Sequence, residues 1–193
     1  AADCTGHGVP GAFMSIMGIS FLNEIANSKE VQTAAEALNQ LRFNVINSLN
    51  QEGAEMDTKD GMDMSICVYD FDTNMMQFAG AYNPLYMIRD GELSVIKADR
   101  MPIGVHERDD KSFTNMEFSM HKGDVYYILS DGYIDQFGGP NGKKFMTKNF
   151  KELILEIHTE SMEVQKEILW QRFTDWRGEI EQIDDVIIIG IKV

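Results

Sequence analysis

Three short stretches place a carboxylate beside a glycine turn or at the border of an apolar run: Asp3 in ADCTGHG, Asp131 in LSDGY and Asp184 in QIDDVIII. Hard divalent cations such as Mg²⁺ and Mn²⁺ take oxygen ligands without thiolate. Strand ends are rigid places from which such ligands converge, so a fold that gathers these three acids makes a metal site. Each motif alone reads equally as a turn, because aspartate before glycine is a common turn former. The combination carries the metal reading. A second feature follows Asp3: the glycines of GHGVPGAF precede a helical pattern, so Gly6 and Gly8 are candidates to expose backbone N–H groups to a phosphate at a helix N-terminus. The stretch lacks the Gly-Lys-Ser/Thr ending of a Walker A loop, and it is not set in a βαβ unit.

The elements that would position these residues can be read from periodicity. Phe13, Met17 and Phe21 repeat at helical spacing behind Pro10, which predicts a helix from about Gly11 to Asn27. Thr33 and Glu36 have capping-box spacing, and Leu38, Leu41, Val45 and Leu49 continue a second helix to Asn50. Strands are expected at Met64–Tyr69, Met75–Ala81, Leu85–Arg89, Glu92–Ile96, Phe113–Met120 and Asp124–Leu129, with RDGE at 89–92 as a tight hairpin. KADRMPIGVHERDDK reads as a long connection. Helices resume near Thr147–Ile157 and Ser161–Trp176, and DDVIIIGIKV reads as a closing strand buried on both faces. Helices, then hairpin-connected strands, then helices and a last strand make an α+β order, with residues 1–193 as a single domain.

Composition removes several function classes. The 31 acidic against 17 basic residues give a formal charge of −14, which repels a nucleic-acid backbone or an anionic membrane. No run approaches the roughly 18 consecutive apolar residues of a membrane span. Cys4 and Cys67 form no C-x-x-C pair, so neither a disulfide framework nor a thiolate zinc site is expected, and a reducing cytoplasm fits.

ADCTGHGVPGAFMSIMG, DGMDMSICVYD, AYNPLYMIRDGEL, DRMPIGVH, GDVYYILSDGYIDQFGG and DDVIIIGIKV, in this order, closely resemble the SpoIIE-type branch of the PPM metal-dependent serine/threonine protein phosphatases. The resemblance implies two stacked antiparallel sheets flanked by helices, an αββα sandwich with a two-metal site at one edge. It implies that Asp3 bridges two Mn²⁺ or Mg²⁺ ions, that the Cys4 backbone carbonyl binds one of them, and that Asp131 and Asp184 ligate the other. Asp185 is the lesser candidate of its pair. Phosphate-monoester hydrolysis is among the slowest uncatalysed reactions, and two ions about 3.5–4 Å apart supply an activated water and clamp the phosphoryl oxygens. The implied nucleophile is water, without a phospho-enzyme.

The pattern also departs from the family. The animal-type branch carries histidine two residues after its bridging aspartate; here Thr5 holds that place and His7 lies two further on. His7 is therefore either a proton donor or a turn residue that packs at the helix start. Asp63 in GMDMS is read as a buried structural hydrogen-bonding group, and Asp57, Asp60 and Asp135 as loop or surface acids. Met14, Met17, Met62 and Met64 are read as core. The family has an upstream hairpin ending in a further metal-site aspartate. The expectation is thus a domain truncated at its N-terminus, with a sheet edge open to another copy in a homodimer, and with an upstream sensor or receiver domain acting through residues 11–50.

Three functions compete. The first is hydrolysis of phosphoserine or phosphothreonine on a regulatory protein, by family analogy a STAS-type anti-sigma-factor antagonist. The second is a catalytically weak phosphatase-like signalling module, and the third a metal phosphoesterase for small molecules.

Overall fold

The computed structural model describes residues 1–6, 8–49, 60–106 and 111–193. In chain order these form β1 (Ala2–Cys4), α1 (Gly8–Ala26), α2 (Ala34–Ser48), β2 (Gly61–Asp70), β3 (Met75–Ala81), β4 (Leu85–Arg89), β5 (Glu92–Ile96), β6 (Ile103–Gly104), β7 (Met116–Ser119), β8 (Val125–Leu129), α3 (Gly132–Asp135), β9 (Phe137–Gly138), β10 (Lys143–Lys144), α4 (Met146–Ile157), α5 (Met162–Arg177) and β11 (Ile188–Lys192). The fold is α+β, with two antiparallel sheets flanked by helices. The chain divides into two compact units, Ala2–Pro84 with Lys97–Met120, and Leu85–Ile96 with His121–Val193.

In the first unit the sheet order is β1-β2-β3-β7, and β6 takes over from β3 as the neighbour of β2 at Gly61 and Met62. Met62 and Met64 on β2, with Ala79 and Ala81 on β3, bury one sheet face against Leu38, Leu41 and Val45 of α2. The capping box is formed: Thr33 accepts from the Glu36 N–H, and the Glu36 carboxylate accepts from the Thr33 N–H. Arg42 is buried on α2 and donates to the carbonyls of Gly104 and Lys111, which ties β6 and the chain beyond it to the helix. The long connection of the sequence reading thus contains a strand, too short to show periodicity. Helix α1 starts three residues earlier than expected, with Pro10 in its first turn. By length and composition α1 could cross a membrane; Met14, Gly18 and Ile25 are buried in this unit, whereas Val9, Phe13, Ile16 and Ile19 are exposed.

In the second unit the order is β11-β8-β4-β5. Asp90 and Gly91 both adopt positive φ, 51° and 78°, as the tight β4–β5 turn requires. All five residues of β8 are buried. Tyr127 and Tyr86 meet Phe150 of α4, and Phe150, Phe145 and Phe173 surround Tyr133. The closing strand differs from expectation. Among the described strands β11 borders β8 alone, and Ile189 and Ile191 each remain 43% exposed. An unbroken apolar run does not distinguish an edge strand from a central one. Lys192 fastens this strand by donating to the carbonyls of His158, Thr159 and Glu160 at the end of α4.

Asp124 joins β4 to the start of β8. It is 2% exposed and receives both Arg89 Nε and Nη2, at 2.9 and 2.6 Å, together with the Tyr126 hydroxyl and the His121 N–H. Burial pushes its carboxyl up, but the hydrogen bonds from Arg89, Tyr126 and His121 outweigh burial and hold it at about 2, below the usual 3.8. A depressed carboxyl contributes stability that is present above its unfolded value and lost as pH falls toward the folded value. Asp124→Asn is expected to cost about 2 kcal/mol in urea unfolding at pH 7. The gap between the proteins should close between about pH 4 and pH 2; a gap independent of pH would contradict this assignment.

Candidate metal centre

Asp131 lies two residues past the end of β8 and sits at the N-terminal cap of α3, yet its side chain makes no cap hydrogen bond to that helix. Asp184 lies just before β11 and is exposed. The two offer carboxylate oxygens within 4.8 Å of one another.

The intervening residues explain the approach. Ser130 Oγ donates to the Asp185 carbonyl at 2.9 Å and accepts from the Ile187 N–H at 3.0 Å, while the Ser130 N–H donates to the Ile187 carbonyl. These bonds clamp the approach to β11 against the end of β8. Gly132 lets the segments close: a β-carbon there would lie 2.4 Å from the Asp185 carbonyl oxygen. Asp185 serves through its backbone, and its N–H also donates to Asp184 Oδ1 at 2.8 Å. In Ser-Asp-Gly the serine latches, the aspartate presents oxygen and the glycine makes room. The sequence reading matched Asp131 to the family's Ser-Asp-Gly motif and gave a role to the aspartate alone.

Asp3 is the middle residue of β1 in the first unit, directly opposite Asp63 on β2. Asp63 is half-buried where the sequence suggested burial, and it lies on the sheet face opposite Met62 and Met64. The Thr5 N–H donates to the Gly61 carbonyl, so alternate residues of β1 face β2 and Cys4 turns its carbonyl away from that strand. The Cys4 side chain packs with the core and accepts from the Ser15 hydroxyl. Burial pushes the Cys4 thiol up, with the Ser15 bond opposing, and burial takes the Cys67 thiol to about 11.

Gly6 and Gly8 have φ of 85° and 65°, and a β-carbon on Gly11 would lie 2.5 Å from the Gly6 carbonyl oxygen. The glycines therefore form a tight entry to α1. His7 and Asp57 lie outside the described residues. Asp60 accepts from the Thr5 hydroxyl at 3.4 Å, and Asp135 pairs with Lys144 at 2.7 Å. The clustered oxygen donors of Asp131 and Asp184, without thiolate, fit a hard divalent cation.

The family described as Stage II sporulation protein E (SpoIIE) matches residues 1–193. Among solved structures, the chain is similar to the SiaA-PP2C domain of Pseudomonas aeruginosa, at 27% identity and a TM-score of 0.87, covering 100% of this chain and 74% of that one. It is similar to the PP2C phosphatase domain with a regulatory fragment of SpoIIE from Bacillus subtilis, at 17% identity and TM-score 0.73, covering 99% and 52%. It also resembles the catalytic domain of the serine/threonine phosphatase PstP in complex with two manganese ions, at 16% identity and TM-score 0.63, covering 98% and 84%. None of the curated proteins matches.

The clamp generates a test. Gly132→Ala must displace Asp185, and should cost about 1–3 kcal/mol and weaken Mn²⁺ binding measured by electron paramagnetic resonance. Ser130→Ala leaves the Asp185 carbonyl and the Ile187 N–H without this partner and should destabilise by about 1–3 kcal/mol. Wild-type stability in both variants would remove the clamp from the account.

Proposed function

The chain belongs to the SpoIIE family, and we propose on that premise that it hydrolyses phosphoserine or phosphothreonine on a regulatory protein, with Asp3, the Cys4 carbonyl, Asp131 and Asp184 holding two Mn²⁺ or Mg²⁺ ions. The observation that carries this reading is the close approach of Asp131 and Asp184, fixed by Ser130 and Gly132. The manganese pair of the PstP domain supports the choice of metal. When bound, two such ions lower the pKa of a shared water and clamp the phosphoryl oxygens of an in-line displacement.

The chain's own residues bind and orient. Asp131 and Asp184 bring negative charge to one spot on rigid backbone, offsetting cation charge that would otherwise bind the phosphate too tightly to release. Ser130 is unsuited to attack phosphorus itself, since its hydroxyl already donates to Asp185 and accepts from Ile187. Cys67, with its thiol near 11, and Cys4, also pushed up by burial, stay protonated near neutrality. The nucleophile in this reading is water. Gly6 and Gly8 are assigned to the phosphate through N–H groups at the start of α1, and His7 to proton transfer. The substrate fitting this family is a phosphorylated STAS-type anti-sigma-factor antagonist, and the free thiols of Cys4 and Cys67 suit a cytoplasmic setting.

Mn²⁺-dependent phosphate release from a phosphoserine peptide, beside release from a small aryl phosphate, tests the proposal. Asp131→Asn should lower kcat by about 10²-fold or more. Metal binding without turnover of either substrate would make the domain a signalling module. Equal turnover of unrelated small esters would make it a general phosphoesterase.

A further inference from the structure

The stretch from Gln136 to Lys151 holds four lysines, at 143, 144, 148 and 151, and no acid, in a chain whose formal charge is −14. Lys143 and Lys144 are the only adjacent Lys or Arg residues in the sequence. The stretch begins five residues after Asp131 and belongs to the same compact unit.

Its shape is fixed by α5. The Gly139 N–H donates to the Trp176 carbonyl at 2.7 Å, and Trp176 Nε1 donates to the Gln136 carbonyl at 3.1 Å. The same Gln136 carbonyl accepts from the Phe145 N–H at 3.0 Å. A β-carbon on Gly138 would run into the Trp176 carbonyl, so this glycine lets the hairpin lie against the end of α5. Within the hairpin Lys144 faces Phe137 and pairs with Asp135 at 2.7 Å. Successive strand residues point to opposite sides, so Lys143 turns away from that pair, and it is exposed. On α4, Phe150, Leu153, Ile154 and Ile157 enter the core, whereas Lys148 and Lys151, three residues apart, are neighbours on the helix surface. Lys148 lies 3.8 Å from Glu152, but with the two side chains 84% and 66% exposed this pair is weak and leaves Lys148 available.

Charge decides what such a surface attracts. A phosphoseryl group carries about −1.5 to −2, and a protein this acidic repels it and any acids beside it. A rigid basic stretch near the metal acids reverses that repulsion locally. The four residues of α3 advance about 6 Å, and the hydrogen bond between Gln136 and Phe145 returns the chain beside the end of α3. The start of α4 therefore lies within about 20 Å of Asp131. An extended peptide advances about 3.3 Å per residue, so residues three to six places from a phosphoserine at the metal acids cover that distance.

We propose that the β9–β10 hairpin and the first two turns of α4 form a docking surface for acidic residues of the substrate protein, three to six positions from its phosphoserine, with Lys143 and Lys148 as the main contacts. The proposal rests on the phosphatase reading above and narrows its substrate class to phosphoproteins whose modified serine lies in an acidic segment.

The test compares Mn²⁺-dependent phosphate release from two phosphoserine peptides of equal length, one with glutamates at those positions and one with alanines. At low ionic strength the wild-type chain should favour the acidic peptide by about tenfold in kcat/KM, through KM, and added salt should erode the preference. Lys143→Gln combined with Lys148→Gln should raise KM for the acidic peptide to that for the neutral one. It should leave kcat, the neutral peptide and the melting temperature unchanged, since both lysines are exposed. Lys143→Gln alone should remove part of the preference. A wild-type chain that turns over both peptides equally, or a preference that survives the double variant, would overturn the docking surface and leave the phosphatase reading standing. Turnover of neither peptide would overturn the phosphatase reading, and this proposal with it.

Discussion

Three hydrogen bonds at Ser130 determine where the second unit places its charge. Asp131 lies two residues beyond one strand and Asp184 precedes another, more than fifty residues later, and two carboxylates gain nothing from approaching each other without a cation. The bonds from Ser130 to Asp185 and Ile187 continue the β8–β11 ladder past its last strand pair, and the sheet's cooperativity then holds the acids together. Gly132 is part of the same constraint, because any side chain there would meet the Asp185 carbonyl. Folding thus assembles a charged site in advance, so that a cation need not order the chain when it binds.

The first unit uses the same physical device with different residues. Thr5 and Gly61 extend the β1–β2 pairing as Ser130 extends β8–β11, and in both places a glycine permits backbone to approach backbone. Asp3 is placed by strand alternation, and Asp131 and Asp184 lie beyond strand ends. Short aspartate side chains on registered strands lose little rotamer freedom when they bind, which suits a site that must hold hard cations in fixed geometry.

Much of this was legible in the residues. Thr33 and Glu36 announced α2 because a capping box is a local pattern, and Asp90-Gly91 announced the β4–β5 turn because positive φ restricts residue choice. Asp131 and Asp184 were visible as acids at element borders. Long-range pairing was not. The two residues of β6 are a strand because β2 passes beside them, and Arg42 is buried because it reaches the Gly104 and Lys111 carbonyls. Similarly, β11 reads as a central strand by composition and is an edge by topology. Only register shows that Asp63 lies opposite Asp3. Local rules marked the candidate residues, and pairing between distant strands decided which of them meet.

The most direct measurement is an anomalous-scattering map from crystals of this chain grown with Mn²⁺. The account predicts a manganese peak about 2.1 Å from carboxylate oxygens of both Asp131 and Asp184. A fully ordered Ser130 clamp with no manganese at either carboxylate would contradict it.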